Sequence, residues 1–164
     1  MKTLYLLRHA KSSWSNPELR DFERPLSARG LKDVRQMGER FRNLGRRVDC
    51  IICSPAVRAK TTAGLFAEAI GFGIDDIASN PELYFAGTGM FLKAASLVDE
   101  ENESAMLVGH NPAITEFVNA MGDERIDNLP TCGLVELSLP IESWSDIKLG
   151  TAHLVDFDFP KREG

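Results

Sequence analysis

The sequence lacks any long apolar segment. A helix needs about 18 to 20 consecutive apolar residues to cross a lipid bilayer, whereas the apolar start of this chain, at residues 3–7, is ended by Arg8. We therefore expect neither a transmembrane helix nor a signal peptide. A chain of 164 residues that is 43% hydrophobic and 26% charged is typical of one globular domain, over residues 1–164, with a single core.

The sequence also has few cysteines. Cys50, Cys53 and Cys132 make an odd count, whereas a small secreted domain normally carries an even and denser set. This composition favours a reducing compartment, and we expect a cytoplasmic protein. Cys50 and Cys53 form a C-x-x-C pattern, but a strand would point their side chains to opposite faces, which favours core packing over a redox or metal site.

Basic residues are outnumbered by acidic ones. The chain has 19 Lys and Arg against 24 Asp and Glu, a net charge of −5, which argues against sequence-independent binding to nucleic acid. The charge is uneven, because residues 1–60 carry 14 Lys and Arg against 6 Asp and Glu, and residues 61–164 carry 5 against 18. An anion would therefore be attracted to the amino-terminal part.

Short apolar strands alternate with amphipathic helices along the chain. Six segments have the apolar pattern of strands: residues 3–7, 48–53, a short one before residue 81, 105–109, 134–139 and 152–157. Four segments between them have the pattern of helices: residues 27–45, 54–71, 87–98 and 111–121. Ser27 is the predicted N-cap of the first helix, and the pairs Ser54–Pro55 and Asn111–Pro112 are predicted to cap and begin two others.

This alternation predicts an α/β fold, with three α/β/α layers around a mostly parallel central sheet. Ligands of such sheets bind beyond the carboxyl ends of the strands. Arg8 and His9 end the first predicted strand, Arg58 lies shortly after the second, and His110 ends the strand at residues 105–109. We therefore expect these four side chains to converge on one edge of the sheet.

Two arginines and two histidines at such an edge are typical of a site for a tetrahedral oxyanion. Arginine offers a planar, charged fork that matches phosphate oxygens in pairs, and the first turn of a helix adds free N–H groups to Arg58. The alternative is that the arginines form surface salt bridges and the histidines pack in the core. That alternative is the better interpretation of any one residue alone, whereas the set of four favours phosphate.

Three motifs, in this order, resemble the signatures of the histidine phosphatase superfamily: LRHAK at residues 7–11, SPAVRAKTTA at residues 54–63 and VGHNP at residues 108–112. The segment DFERPLSARG at residues 21–30 further resembles the SixA branch, the phosphohistidine phosphatases. The resemblance covers essentially the whole chain. It implies a phosphoglycerate mutase-like fold and phosphatase activity.

The resemblance also implies roles for the converging residues. His9 would be the nucleophile that takes the phosphoryl group, and Arg8, Arg58 and His110 would hold its oxygens. An imidazole is a neutral nucleophile near pH 7 when one ring nitrogen stays unprotonated, and positive charges stabilise the group in transfer. These roles require no metal and no cofactor. His153 has no ligand-type spacing to the other histidines and is predicted to be structural.

Three further residues are candidates with open alternatives. Ser12 matches a serine of the mutase-like loop and is expected to donate a hydrogen bond to substrate. Arg24 either adds a third positive charge or holds the long loop against Asp21 or Glu23. Glu82 follows the third strand and is the candidate general acid for a leaving alkoxide, with a solvent-facing loop glutamate as the alternative.

The sequence departs from the superfamily pattern at three places, two of them after His9 and one in the second motif. The glycine common after the Arg-His pair is Ala10, and the glutamine usual before the threonine of the second motif is Thr61. Mutase relatives carry a phosphate-binding asparagine about seven residues after the histidine. The candidates at this position are Ser15 and Asn16, and the sequence does not decide between them.

These observations predict a metal-independent phosphatase that removes phosphate from phosphohistidine on a protein, either a phosphotransfer domain or a phosphocarrier. Phosphohistidine fits a site without a strong acid, because its leaving group is an imidazole. The chain also has little spare sequence between residues 53 and 105 for a lid over a small substrate.

One alternative is a phosphomonoesterase for a nucleotide or sugar phosphate. Another is a non-catalytic phosphate-binding module, which would not need a nucleophile. Neither nucleic acid nor a membrane is an expected partner, and the oligomeric state stays open.

Overall fold

The computed structural model of the protein describes residues 1–84 and 87–161. In these ranges a six-stranded sheet forms the centre, with strands β1 (Lys2–Arg8), β2 (Cys50–Cys53), β3 (Ala78–Ser79), β4 (Ser104–Gly109), β5 (Leu134–Leu139) and β6 (His153–Asp158). Its α-helices are α1 (Ala28–Asn43), α2 (Val57–Ile70), α3 (Thr88–Ser96) and α4 (Ala113–Met121). The predicted α/β fold is confirmed. None of the described helices is both long and apolar enough to cross a membrane.

The sheet is mostly parallel, as predicted. Its strand order is β3-β2-β4-β1-β5-β6, in which β1 to β4 are parallel and β5 runs antiparallel to both of its neighbours. Arg8 pairs with Gly109, and Cys53 pairs with Val108. Because the carboxyl ends of β1, β2 and β4 are in register, the residues that follow them lie side by side at one edge.

Helices cover both faces of the sheet, which gives the three predicted layers. On one face Leu4 and Leu6 pack in a cluster with α3 and α4. On the other face Tyr5 and Leu7 pack in a cluster with α1 and α2. Burying one large apolar side chain stabilises the fold by about 1.5 to 3 kcal/mol, so the alternation of β1 between two apolar faces fixes that strand at the centre.

The cysteines lie where the sequence placed them. Cys50 packs against the α3–α4 cluster and Cys53 lies in the α1–α2 cluster, on opposite faces of β2. Both are free thiols, as is Cys132. Burial raises the pKa of the Cys53 thiol, so this group is a protonated, apolar member of the core near neutral pH.

One predicted helix cap is confirmed and another is wrong. Ser27 caps α1, since its hydroxyl oxygen accepts the backbone N–H three residues later at 3.1 Å. The Ser54 cap of α2 is wrong, together with the proline expected at its first position, because α2 begins at Val57 and Ala56 is the N-cap. The Ser54 hydroxyl instead lies 2.7 Å from Nε2 of His110. The hydroxyl therefore has a short long-range contact besides its long local one, with the Ala56 N–H at 3.4 Å.

The predicted Asn111 cap of α4 is also wrong. The Asn111–Pro112 peptide bond is cis, and α4 begins at Ala113. The Asn111 side chain accepts a hydrogen bond from the Thr115 hydroxyl at 2.7 Å and donates one to the side-chain oxygen of Asn128 at 2.7 Å. The side chain therefore ties α4 to the segment before β5.

Gly30 lies where α1 passes the loop that follows β1. A Cβ atom at Gly30 would stand 2.2 Å from the carbonyl oxygen of Lys11, a clash that only backbone movement relieves. We expect Gly30→Ala to lower the free energy of unfolding by about 2 kcal/mol. Gly64→Ala in α2 is the control, because a Cβ there meets nothing within 4 Å and alanine is the better helix former by up to about 1 kcal/mol. Chemical denaturation measures the stability of both variants. A denaturation midpoint of Gly30→Ala at or above that of Gly64→Ala would contradict the predicted effect of the clash.

Candidate active site

His9 is a buried imidazole with one free ring nitrogen. It follows β1 and is 8% exposed. Its Nδ1 lies 2.7 Å from the carbonyl oxygen of Ala10, and we assign the proton to Nδ1 because a carbonyl only accepts. Burial, with smaller contributions from His110, Arg58 and Arg8, lowers the pKa of His9 to about 3. At pH 7 the ring is therefore neutral, and its Nε2 lone pair is available for attack.

His110 lies beside His9 and has one buried nitrogen to offer a ligand. Their ring centroids are 5.1 Å apart. The Ser54 hydroxyl oxygen accepts the Ala56 N–H at 3.4 Å, so we direct the hydroxyl proton to Nε2 of His110 and assign the ring proton to Nδ1. Burial, followed by the charge of Arg58, lowers the pKa of His110 to about 4. Nδ1 is buried and has no partner among the described residues.

Arg8 offers a second buried donor. Its Nη1 donates to the carbonyl oxygen of Leu129 at 2.9 Å, whereas its Nε is buried without a partner in the described ranges. Burial lowers the pKa of Arg8, yet a guanidinium keeps its charge near neutral pH. Two buried donors without acceptors, on Arg8 and His110, would be costly in a closed core. They indicate a ligand that brings oxygen acceptors.

Arg58 lies in the first turn of α2 and is held by Asp21. Its Nη1 donates to the Asp21 carbonyl oxygen at 2.7 Å, and its Nη2 donates to the Asp21 carboxylate at 2.9 Å. Asp21 belongs to the 3-10 turn Asp21–Glu23 in the long loop after β1. The loop and the helix therefore fix the direction of the Arg58 fork together.

The Asp21 carboxylate accepts three side-chain donors. Besides Arg58, the Tyr84 hydroxyl donates to it at 2.7 Å and Nη1 of Arg24 at 3.2 Å. The Tyr84 hydrogen bond and the two arginines outweigh partial burial and lower the pKa of Asp21 to about 2. At neutral pH this group is therefore an anion that can accept hydrogen bonds.

Arg24 is buried and holds the long loop together. It donates to the Ser12 hydroxyl, to the Ser13 carbonyl oxygen at 3.2 Å and to the Asp21 carboxylate at 3.2 Å. Its guanidinium lies over the Trp14 ring, 3.2 Å from the centroid. The structure shows the loop contact expected as one alternative, with Asp21, and Arg24 also lines the cavity around His9, as the other alternative requires.

Two cavities open at this edge of the sheet. The smaller one, of about 270 Å³, we name the phosphate pocket; its lining residues are Arg8, His9, Lys11, Ser12, Trp14, Arg24, Arg58 and Thr131. The larger one, of about 800 Å³, we name the aromatic groove; its lining residues are Arg20, Asp21, Phe22, Pro55, Pro81 and Tyr84. The pocket thus gathers cations around His9, while the groove carries one anion, Asp21, and one cation, Arg20, between aromatic and proline walls.

Four sequence candidates lie outside the lining of both cavities: Glu82, Ser15, Asn16 and His110, of which His110 still contacts the His9 ring. The Glu82 carboxylate binds Lys93 of α3 at 3.3 Å. The Ser15 hydroxyl binds that of Ser13 at 2.8 Å, and Asn16 accepts the Glu18 N–H at 3.1 Å. Within the described part of the chain, the carboxylate that binds a pocket arginine is that of Asp21 instead of Glu82.

Sequence reasoning missed the roles of Asp21, Tyr84 and Ser54. Asp21 did have a signal, because it begins the DFERP segment, but the sequence indicates it only as a partner of Arg24. Tyr84 had no signal, since it stands alone after a short turn.

His153 lies on β6, exposed and 2.7 Å from the Asp123 carboxylate, away from the cavity linings. The described residues contain no group of three or more His, Cys, Asp or Glu placed to hold a metal ion.

Comparisons with known proteins extend these findings. A family model of the histidine phosphatase superfamily (branch 1) matches residues 4–84. An uncharacterized protein from Mycobacterium tuberculosis is 30% identical over 166 residues, which cover 94% of this chain and 100% of the relative. A solved SixA structure from Agrobacterium tumefaciens, assigned as a phosphohistidine phosphatase, is 30% identical, with a TM-score of 0.79 over 95% of this chain and 96% of that one.

A second solved structure has the same fold. It is a protein histidine phosphatase SixA complexed with tungstate, with a TM-score of 0.82, 19% identity and coverage of 96% of this chain and 97% of that chain. The fold and the site define an α/β protein with a cationic pocket around a buried neutral histidine. The chain belongs to the histidine phosphatase superfamily and has its phosphoglycerate mutase-like fold. This membership supports phosphatase activity.

Proposed function

We propose that the protein is a metal-independent phosphohistidine phosphatase that acts on a signalling or phosphocarrier protein. One observation carries the proposal: the carboxylate at the site, Asp21, accepts hydrogen bonds from Tyr84, Arg58 and Arg24, contacts that lower its pKa and keep it ionised at neutral pH. A leaving alkoxide requires a proton from an acid, which an ionised carboxylate does not supply. A leaving imidazole departs as a neutral ring with a reference pKa of about 6.5, so it needs no such acid.

The first chemical step transfers the phosphoryl group to His9. Nε2 of His9 attacks phosphorus, the bond from phosphorus to the substrate nitrogen breaks, and its electron pair stays on the leaving imidazole. Arg8, Arg58 and the Nδ1–H of His110 hold the phosphoryl oxygens and stabilise their charge. The Ala10 carbonyl oxygen, 2.7 Å from Nδ1 of His9, keeps the proton on that nitrogen. Both sides of this exchange are phosphorus–nitrogen bonds, so the step is close to thermoneutral.

The second step releases phosphate. Water attacks phosphorus, the bond to Nε2 of His9 breaks, and the water gives its proton to solvent as inorganic phosphate forms. Because Nδ1 of His9 remains protonated, His9 leaves as a neutral imidazole and regains the state in which it began. Hydrolysis supplies the net driving force.

The form of the site supports a protein substrate. The phosphate pocket opens beside a groove of about 800 Å³, wide enough for a side chain presented by another molecule. The similar SixA structure with tungstate, an oxyanion of phosphate-like shape, supports an oxyanion in the pocket. The basic amino-terminal part, with 14 Lys and Arg in residues 1–60, is suited to an acidic phosphotransfer domain or phosphocarrier.

Initial rates without added metal test the proposal. We expect kcat/KM on a phosphohistidine-bearing carrier protein to exceed that on a panel of sugar and nucleotide phosphates by at least about 100-fold, because the alkoxide leaving groups find no acid. His9→Ala is the blank for each substrate. A preference for one small ester would overturn the proposal and favour the phosphomonoesterase, with Glu82 as the next residue to substitute.

A further inference from the structure

Asp21 lies at the boundary between the two cavities. Its carboxylate binds Arg58, which lines the phosphate pocket, and Asp21 itself lines the aromatic groove. A carboxylate has about four acceptor sites, and among the described residues the donors Arg58, Arg24 and Tyr84 take three of them. The side chain is 53% exposed. A fourth donor can therefore reach it from the groove.

The walls of the groove suit a flat ring. Phe22 and Tyr84 meet edge to face, with centroids 5.1 Å apart, and Pro55 and Pro81 complete the apolar lining. The Tyr84 ring also lies 5.6 Å from the His110 ring, so the groove adjoins the side of the pocket where His110 would hold phosphate. Aromatic faces attract a ring that carries positive charge.

We propose that the Asp21 carboxylate accepts a hydrogen bond from the ring N–H of the leaving imidazole, which lies in the aromatic groove, and that this contact selects phosphohistidine over phosphate esters. The inference rests on the proposed function and adds a specificity-determining residue to it. It gives the groove a definite occupant, the ring of the substrate histidine.

The chemistry of the leaving ring explains the selection. A phosphoimidazole leaves as neutral imidazole only when its second nitrogen carries a proton, and a carboxylate acceptor favours that protonated form. When the phosphorus–nitrogen bond breaks, the electron pair stays on one ring nitrogen and the proton stays on the other. An alkoxide has no such proton, and the negative charge that develops on it is repelled by the ionised Asp21.

A purely structural role for Asp21 makes a different prediction. If the carboxylate only positions Arg58 and Arg24, its loss weakens the binding of the transferring phosphoryl group equally for every substrate. The value of kcat/KM then falls by the same factor on each. The ratio of rates on two substrates with different leaving groups would then stay constant. This ratio separates the positioning role from the selective role. Both substrates transfer the same phosphoryl group to His9, so only a contact with the leaving group changes the ratio.

The test uses phosphoimidazole and p-nitrophenyl phosphate, two small substrates of which only the first leaves with a ring N–H. We expect Asp21→Asn to lower kcat/KM on both substrates, and on phosphoimidazole by about tenfold more, the effect of one charge-assisted hydrogen bond. Glu23→Gln is the matched control. It makes the same change in the same turn, but at a carboxylate that binds Arg20 instead of Arg58, so we expect it to leave the ratio unchanged.

The outcomes distinguish the two proposals. An equal fall on both substrates overturns the selective role of Asp21 and leaves the proposed function standing, with the groove carboxylate as a positioning group. Wild-type turnover of p-nitrophenyl phosphate without turnover of phosphoimidazole overturns the proposed function and this inference with it. Thermal unfolding of Asp21→Asn confirms that the variant is folded, and the ratio is independent of the folded fraction.

Discussion

His9→Ala is expected to abolish turnover while leaving phosphate bound. The substitution removes Nε2, the atom that takes the phosphoryl group, and we expect kcat to fall by at least about 10³-fold. Arg8, Arg58 and His110 remain in place, and they hold the oxygens in the proposed mechanism. The dissociation constant of inorganic phosphate, measured by calorimetry, should therefore change by no more than about tenfold.

The control for this variant is the same change at another histidine. His153→Ala alters an exposed residue on β6 that pairs with Asp123, and it should leave kcat and phosphate affinity unchanged. Wild-type protein quenched during turnover should also gain the mass of one phosphoryl group, and His9→Ala should not. Turnover by His9→Ala close to that of the wild type would show that the covalent mechanism is wrong, whereas a phosphorylated His9 would exclude a binding module without catalysis.

Arg58→Ala is expected to lower kcat/KM by about 10² to 10³-fold, the effect of losing a main donor to the transferring group. The loss is large for a second reason, because the Asp21 carboxylate would lose one of its three side-chain donors and its negative charge would be less compensated beside the phosphate. Arg58→Lys should recover only part of the rate, since a lysine keeps the charge but not the planar fork.

A double variant isolates the Asp21 contribution. With p-nitrophenyl phosphate as substrate, Arg58→Ala combined with Asp21→Asn should be more active than Arg58→Ala alone, because the second change removes the repelling charge. Arg35→Ala, at an exposed arginine on α1, controls for the loss of one positive charge from the protein and should keep the wild-type rate. If the two single effects simply multiply, the Asp21–Arg58 contact has no energetic coupling, and the repulsion argument fails.

The part of the site that depends on strand order could be predicted from sequence. Arg8 and His9 end one apolar segment, and His110 ends another, so the rule that parallel strands share an edge brings them together. The register confirms this physical basis, since Arg8 pairs with Gly109 in adjacent strands. A short continuous apolar run that ends at a polar residue carries enough information for such a prediction.

The part that depends on loops could not be predicted. Asp21 and Tyr84 come from 3-10 turns without periodicity, and their meeting at 2.7 Å depends on how two loops cross above the sheet. Ser54 shows a second limit. Capping rules consider only neighbours in the chain, whereas its hydroxyl binds His110, 56 residues away. The position of Glu82 after the third strand predicts that its side chain lies close to the substrate site. The carboxylate instead pairs with Lys93 of α3.

The central place of β1 has a consequence for biosynthesis. Leu4 pairs with Ala105 on one side and with Leu137 on the other, so β1 leaves the ribosome long before either neighbour exists. Until those strands are synthesised, the apolar side chains of β1 are exposed to solvent. We expect a nascent chain with this exposed apolar surface to bind chaperones. His9 and His110 also meet only after this long-range closure. An unfinished chain therefore holds no histidine pair, and the site around His9 forms only with the completed fold.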